Sequence, residues 1–245
     1  DILSEKDKTY KAVLLLGQET DTQDSTGNII NKAEEDKLNA LDQTEVFTTI
    51  KSFIGDYAQI PPMFSAIKIN GQKLYNLARR GEEVERPARQ CKIVDITITD
   101  VDPPRVEMIV TCSKGTYIRT LCHDIGNKLG VYGCMDKLER TRVERFKVEE
   151  SITLEQIEKA RDDGRLKDYI VPVDQMLDKY SKCIVSEKFD KLIYNGNKFT
   201  AGNTLLRMNF EDKQKVRVYA QNGDFIGIYE FDAHKQIYKP IKIFL

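Results

Sequence analysis

The side chains best placed to do chemistry cluster in one short run, Cys112-Ser113-Lys114-Gly115-Thr116-Tyr117-Ile118-Arg119-Thr120-Leu121. An alternating apolar stretch ends at Cys112, Gly115 permits a sharp turn, and a helical pattern opens with Tyr117 and Arg119 near its first turn. Backbone N–H groups and a guanidinium at a helix start attract anions. An arginine there can grip a carboxylate with two hydrogen bonds or meet a phosphate. A structural salt bridge is the plainer use of the same side chain. A second run, Pro61 to Gly81, mixes Phe64 and Tyr75 with Lys68, Lys73, Arg79 and Arg80. Such mixtures suit RNA loops, whose splayed bases stack on aromatics while phosphates meet cations. The alternative is a surface loop and a helix packing down through Leu74, Leu77 and Ala78.

Other chemistries find little support. His123 and His234 are the only histidines, and neither lies in a Ser-His-Asp or Cys-His setting. His123 falls one turn after Arg119, where polar packing is expected. There is no GxxxxGK[ST] and no GxGxxG, so no nucleotide cofactor is implied. Cys91, Cys112, Cys122, Cys134 and Cys183 are scattered, with no CxxC pair. That reads as reduced, buried thiols and neither a disulfide framework nor a metal site. The formal net charge is -1, which does not mark the whole chain as a polyanion binder. The distribution says more. Residues 1–60 hold 6 Lys+Arg against 12 Asp+Glu, residues 61–92 hold 7 against 3, and residues 111–147 hold 8 against 4. Both basic islands coincide with the two runs above, and local basic surface is what a polyanion meets.

The elements that must position these residues follow from period and punctuation. Tyr10 to Leu16 reads as a buried strand, and Thr20 to Gly27 as a polar loop. Asp42 with Glu45 is a capping box opening a helix with Val46, Phe47, Ile50, Phe53 and Ile54, stopped at Gly55. The Pro61-Pro62 pair forbids a helix start, and a short helix follows over Lys73 to Arg80. Cys91–Thr99 and Val106–Cys112 alternate around Asp102–Arg105, which predicts a hairpin. Ile118, Leu121, Ile125 and Leu129 form a helix stripe, and Thr153 with Gln156 opens another helix. Past Asp174 the character changes. Ser186–Tyr194 reads as a short helix with Phe189, Leu192 and Ile193 inward. Asn222-Gly223 marks a hairpin, and Lys239–Leu245 a last strand. A boundary near residue 180 divides an α/β (α+β) body, 1–180, from a β-rich appendix, 181–245. The 245 residues suit one large and one small domain. No run approaches the ~20 apolar residues of a membrane span, and no secretory signal is visible. A cytoplasmic monomer is expected.

Taken together, these passages resemble the tRNA pseudouridine-55 synthases, the TruB family. Lys8-Thr9-Tyr10 through Leu16-Gly17, followed by Thr20-Asp21-Thr22-Gln23-Asp24 and Gly27, is similar to the family's KxY…LG…TDTxDxxG block. Gln59-Ile60-Pro61-Pro62, Ser65-Ala66-Ile67-Lys68, Gly71, Tyr75, Ala78-Arg79 and Gly81 resemble its QxPPxxSAxKxxGxxxYxxAR block. Gly115 to Leu121 with Asp124-Ile125-Gly126 and Leu129-Gly130 resembles its GTYIRSLxxDLGxxLG block, and Leu138 with Arg140-Thr141 its LxRT. The tail is similar to the family's PUA-like RNA-binding appendage.

The resemblance implies a pseudouridine-synthase mixed sheet with flanking helices, no cofactor, and tRNA, through its T stem-loop, as partner. It implies that Tyr10 stacks on a flipped uridine and assists proton removal at C5, that Tyr117 lines the pocket, and that Leu138 closes it. Lys68, Lys73, Tyr75, Arg79 and Arg80 are the expected RNA contacts. Arg119 is expected to pair with a nucleophilic aspartate in an upstream GHxGxLDPxAxG segment. That pattern is nowhere in these 245 residues, and Asp1 sits too near Tyr10 to take the role. Arg119 otherwise points at no recognisable carboxylate. The chain is thus expected to be an enzyme whose N-terminal segment was cleaved off or is not represented, and to be inactive without it. Where the family pattern has Gly before the Phe of the last block, this chain has Glu144-Arg145-Phe146. The alternative reading is a non-catalytic tRNA-binding or folding protein on the same scaffold.

Overall fold

A computed structural model describes residues 7–206 and 210–245. Asp1, set aside above as a nucleophile, lies outside them. Two compact units divide between Ile152 and Thr153. The first runs β1 (Lys8–Leu16), β2 (Gln18–Thr20), β3 (Ile29–Lys32), α1 (Glu35–Asn39), α2 (Gln43–Lys51), β4 (Gly55–Gln59), β5 (Lys68–Ile69), β6 (Gln72–Lys73), α3 (Leu74–Arg79), β7 (Arg89–Asp102), β8 (Arg105–Cys112), α4 (Ile118–Lys128), β9 (Gly133–Val143) and β10 (Phe146–Lys147).

Six strands form one sheet in the order β10-β9-β1-β8-β7-β4. Alternation along β1 puts Ala12, Leu14 and Leu16 on one face, all buried. On β8, Val110 stands opposite Tyr10, Met108 opposite Ala12 and Val106 opposite Leu14, so the same face is apolar on both strands. Helix α4 covers it through Ile118, Leu121, Cys122 and Ile125. Each large aliphatic side chain buried there contributes roughly 1.5–3 kcal/mol. Gly126 lets the helix lie directly on β9, because a Cβ there would stand 2.2 Å from the Gly133 backbone nitrogen. Helix α4 carries the chain from β8 to β9, which are both antiparallel to β1 and lie on either side of it. The parallel relation that a mixed sheet implies is thus split by β1, and every ladder of this sheet is antiparallel.

Local signals set most ends. The Asp42 carboxylate accepts the Glu45 amide at 3.3 Å. Helix α2 stops at Lys51, short of Phe53 and Ile54, which lie in the turn before Gly55 opens β4 at φ +114°. The Asn70-Gly71 pair takes φ of 50° and 80° between β5 and β6, the mirror-image turn that suits a two-residue hairpin. Strand β9 is rich in charged residues, is exposed over its middle four positions and has no period of two. Its burial comes from its neighbours, so the sequence carries no strand signal there.

The second unit runs α5 (Leu154–Asp162), β11 (Ser181–Ile184), α6 (Asp190–Tyr194), β12 (Phe199–Thr200), β13 (Lys215–Tyr219), β14 (Phe225–Asp232) and β15 (Ile237–Ile243). Thr153 and Gln156 cap α5 reciprocally. Five strands pair in the order β11-β13-β14-β15-β12. Phe199 stacks on Tyr238 at 4.7 Å in an aromatic core. Gly223, at φ +98°, makes the β13–β14 turn. The change of character near residue 180 falls inside this unit, because Arg217 of β13 donates to the carbonyls of Asp174 and Tyr180 at 3.0 and 2.8 Å. Leu192 is 37% exposed and only Ile193 of the expected inward set is fully buried. The segment opens as a tighter 3-10 turn over Glu187–Phe189 before α6, which shifts the phase of the stripe. No helix among the described residues is long and apolar enough to cross a membrane.

Candidate active site

Tyr10 continues the Ala12–Leu14–Leu16 face of β1 and packs, half-buried, against the core under α4. Across the ladder to β9, Arg140 stands opposite Tyr10 and Leu138 opposite Ala12. Directly opposite residues share a face, so Tyr10, Leu138 and Arg140 form one surface. Leu138 is 43% exposed there, an apolar side chain left in the open. Burial, with Cys112 close by, raises the Tyr10 hydroxyl pKa against the opposing pull of Arg140. The phenol therefore stays neutral at ordinary pH.

Helix α4 aims its first turn at this surface. Gly126 rests on Gly133, and Arg119, two turns earlier, reaches a segment bridged to Met135 of β9. The N-terminal end of α4 thus lies toward Leu138 and Tyr10. Tyr117, the residue before the helix, has no side-chain cap of its own. Instead buried Gln59 holds it by both backbone groups: its amide oxygen accepts the Tyr117 N–H at 2.8 Å, and its amide nitrogen donates to the Tyr117 carbonyl at 2.9 Å.

Arg119 does have a carboxylate partner, which corrects the expectation from sequence. Its Nη1 donates to Asp24 Oδ2 at 3.0 Å and to the Thr22 carbonyl at 3.3 Å, and its Nη2 to the Phe64 carbonyl at 2.8 Å. The Thr20–Gly27 loop folds back along β9, where Ser25 N donates to Met135 O at 2.8 Å and Met135 N to Gln23 O at 3.0 Å. That return places Asp24 at the helix start. Burial works against the Asp24 charge, but hydrogen bonds from Thr26, Thr22 and Arg119 outweigh it and hold the carboxyl below its usual range. A guanidinium has five N–H donors, so among the described residues Nε and one Nη2 hydrogen of Arg119 are left for a further acceptor. Asp24 and Gln59 were visible in the sequence blocks but without a role. The flanking Thr22 and Thr26, at i−2 and i+2, were the signal that Asp24 is a fixed acceptor.

The expected RNA contacts divide. Lys68 on β5 is exposed and enters no ion pair among the described residues. Lys73 and Arg79 lie over the Tyr75 ring at 5.4 Å each, and Lys73 Nζ also donates to its hydroxyl at 3.2 Å. Arg80 is engaged by Glu82 at 2.6 Å and by Gln72 at 2.9 Å. His123 is a structural bridge, as its position suggested. Nε2 meets Glu19 Oε1 at 2.7 Å and Nδ1 meets Asp124 Oδ1 at 3.0 Å, while the Tyr57 hydroxyl donates to the other Asp124 oxygen. No group of three or more metal-ligating side chains is assembled among the described residues.

The family model for the N-terminal domain of TruB family pseudouridylate synthases matches residues 1–118, and that for the C-terminal domain of tRNA pseudouridylate synthase B matches residues 119–178. The tRNA pseudouridine synthase B of Clostridium tetani is 43% identical over 243 residues, 99% of this chain and 80% of that protein. The Lachnoclostridium phytofermentans protein of the same name is 42% identical over 255 residues, covering 100% and 82%. A solved Cbf5–Nop10–Gar1 complex shares the fold with a TM-score of 0.65 at 21% identity, over 100% of this chain and 68% of that chain. Matched by both family models and by relatives more than 40% identical over nearly its whole length, the chain belongs to the TruB family of pseudouridylate synthases.

Proposed function

We propose that this chain isomerises uridine 55 in the T loop of tRNA to pseudouridine. The N1–C1′ bond breaks, the base turns over, and C5 bonds to C1′. C5 loses its proton and N1, released from C1′, gains one, so the product is an isomer and no redox partner or water is consumed. A stacked base must first be extruded from the loop. Tyr10 would stack on the extruded uracil and take part in removing the C5 proton. Tyr117 would line the pocket and Leu138 close it. Arg119 would offer its two remaining N–H groups to the nucleophilic carboxylate, with Asp24 fixing the guanidinium from the other side. Lys68, Lys73, Tyr75, Arg79 and Arg80 would meet the RNA, and residues 181–245 would be a PUA-like second contact. The enzyme would act as a monomer in the cytoplasm.

What carries this reading is that Tyr10 and Leu138 share the sheet face onto which α4 brings Arg119. The test is tritium release from tRNA labelled at uridine C5, using the protein as its gene encodes it. Release at a single T-loop position, lost on Arg119→Ala, is expected. Tight tRNA binding with no release would favour the non-catalytic alternative.

A further inference from the structure

Bordering the start of α4, a cavity of about 360 Å³ lies between the end of β4, the start of β7 and the turn that follows β8. Gln59, Cys91 and Tyr117 line it, with Arg89, Lys114 and Gly115. Its volume is within the range that holds a small ligand. The turn is held rigidly. Ser113 N donates to the Lys92 carbonyl at 2.9 Å, Ser113 Oγ accepts the Lys92 amide at 2.8 Å, and Thr116 Oγ1 donates to the Ser113 carbonyl at 2.9 Å. Gln59 then fixes Tyr117 at both backbone groups. Lys114 is presented on a fixed turn, not on a floppy loop.

The charges at this cavity are unusual for the molecule. Other arginines of this unit are neutralised by acids: Arg80 by Glu82, Arg86 by Glu83, Arg105 by Asp136. Among the described residues Arg89 and Lys114 enter no ion pair and no side-chain hydrogen bond, and the cavity wall holds no carboxylate. The N–H groups of Lys114, Gly115 and Thr116 also donate to no protein acceptor among the described residues. Gly115 has a φ of +84° and nothing within 4 Å of where a Cβ would be, so the turn leaves room beside its backbone. A guanidinium and an ammonium without acidic partners on a concave wall, with unpaired backbone amides in the same turn, is a donor set that suits an oxyanion.

We propose that this cavity, which Pro61 also lines, is a phosphodiester subsite for the RNA backbone whose cations, Arg89 and Lys114, are distinct from Lys68, Lys73, Arg79 and Arg80 of the Pro61–Gly81 run. Arg89 and Lys114 take the non-bridging oxygens of one linkage, and Tyr117 forms the wall against its nucleotide. The proposal rests on RNA being the substrate. The test therefore uses whole tRNA, so that an error in the T-loop assignment leaves its readout intact.

Binding of a tRNA transcript is measured against salt for wild type, Lys114→Gln, Arg89→Gln and the double variant. Removing one phosphate contact lowers the magnitude of the log–log salt slope by about 0.7–0.9. Each single variant should show that loss, while Lys114→Arg and Arg89→Lys keep the wild-type slope. The phosphate itself is read by ethylation interference on end-labelled tRNA. One linkage, or two adjacent ones, should block wild type when ethylated and lose that effect in the double variant. Unchanged slopes, or an interference pattern identical in wild type and double variant, overturn the proposal. Wild type failing to bind tRNA at all sinks the broader reading as well, and is told apart by that.

Discussion

Arg119 and Asp24, 95 positions apart in sequence, face each other at 3.0 Å with side chains 23% and 17% exposed. The pair joins the start of α4 to the loop that returns along β9. Asp24→Ala leaves a mostly buried guanidinium short of its counter-charge, so stability should fall by about 2–3 kcal/mol. In a domain of this size that is roughly 2–4 °C of Tm per kcal/mol. Because the folded carboxyl is more acidic than its ordinary 3.8, its contribution is present above that value and disappears as the pH falls through the lower folded one. Melting curves of wild type and Asp24→Asn should differ at neutral pH and converge in acid. A constant gap at every pH would show that the charge is not what matters.

Tyr10 can be separated into a ring and a hydroxyl. Tyr10→Phe keeps the stacking surface and should bind tRNA as wild type does, while C5 tritium release drops by about 10²–10⁴ if the hydroxyl assists proton transfer. Tyr10→Leu should weaken both. Normal release from the Phe variant would restrict Tyr10 to stacking.

His123 reports on pH in the opposite sense to Asp24. Its bond to Asp124 raises its pKa, burial opposes that, and Glu19 adds to the rise. The stabilisation is full below the ordinary 6.5 and is lost as the pH climbs through the higher folded value. The Tm difference between wild type and His123→Gln should be largest in mild acid and shrink in alkali. A difference that grows with pH would mean the imidazole is neutral in its bridge.

Gly126 is required by contact, not by conformation. Gly126→Ala would drive a methyl to 2.2 Å from Gly133 N and 2.3 Å from the Tyr132 carbonyl carbon, both backbone. A loss of about 3 kcal/mol or more, seen in urea or thermal unfolding, is expected from overpacking a helix against a strand. Gly202→Ala, whose nearest neighbour is Thr200 Oγ1 at 3.7 Å, should be near neutral and serves as the comparison.

Among the basic residues, Lys68→Ala should reduce the salt slope of tRNA binding by about one contact. Arg80→Ala should reduce it less, since Glu82 and Gln72 already occupy that guanidinium. Equal effects would mean that RNA displaces Glu82.

The sequence was enough for the local architecture. The apolar run Tyr10–Leu16, the alternation in Val106–Cys112, the Asp42 and Thr153 caps and the Asn222-Gly223 turn each depend on neighbours a few residues away, and the structure has them where that chemistry requires. The family, too, was legible in four blocks of residues. What only the tertiary structure decided was partnership. Strand β9 is a strand because it pairs with β1 on one side and β10 on the other, although its own residues carry no period. The carboxylate beside Arg119 is Asp24, and the clamp on Tyr117 is Gln59, because the Thr20–Gly27 loop and the end of β4 are brought to the first turn of α4 by packing against the shared sheet. Spacing along a chain sets which groups can turn or cap locally. It does not set which distant charge is delivered to a buried guanidinium, since that depends on the crossover of α4 and the order of the strands beneath it.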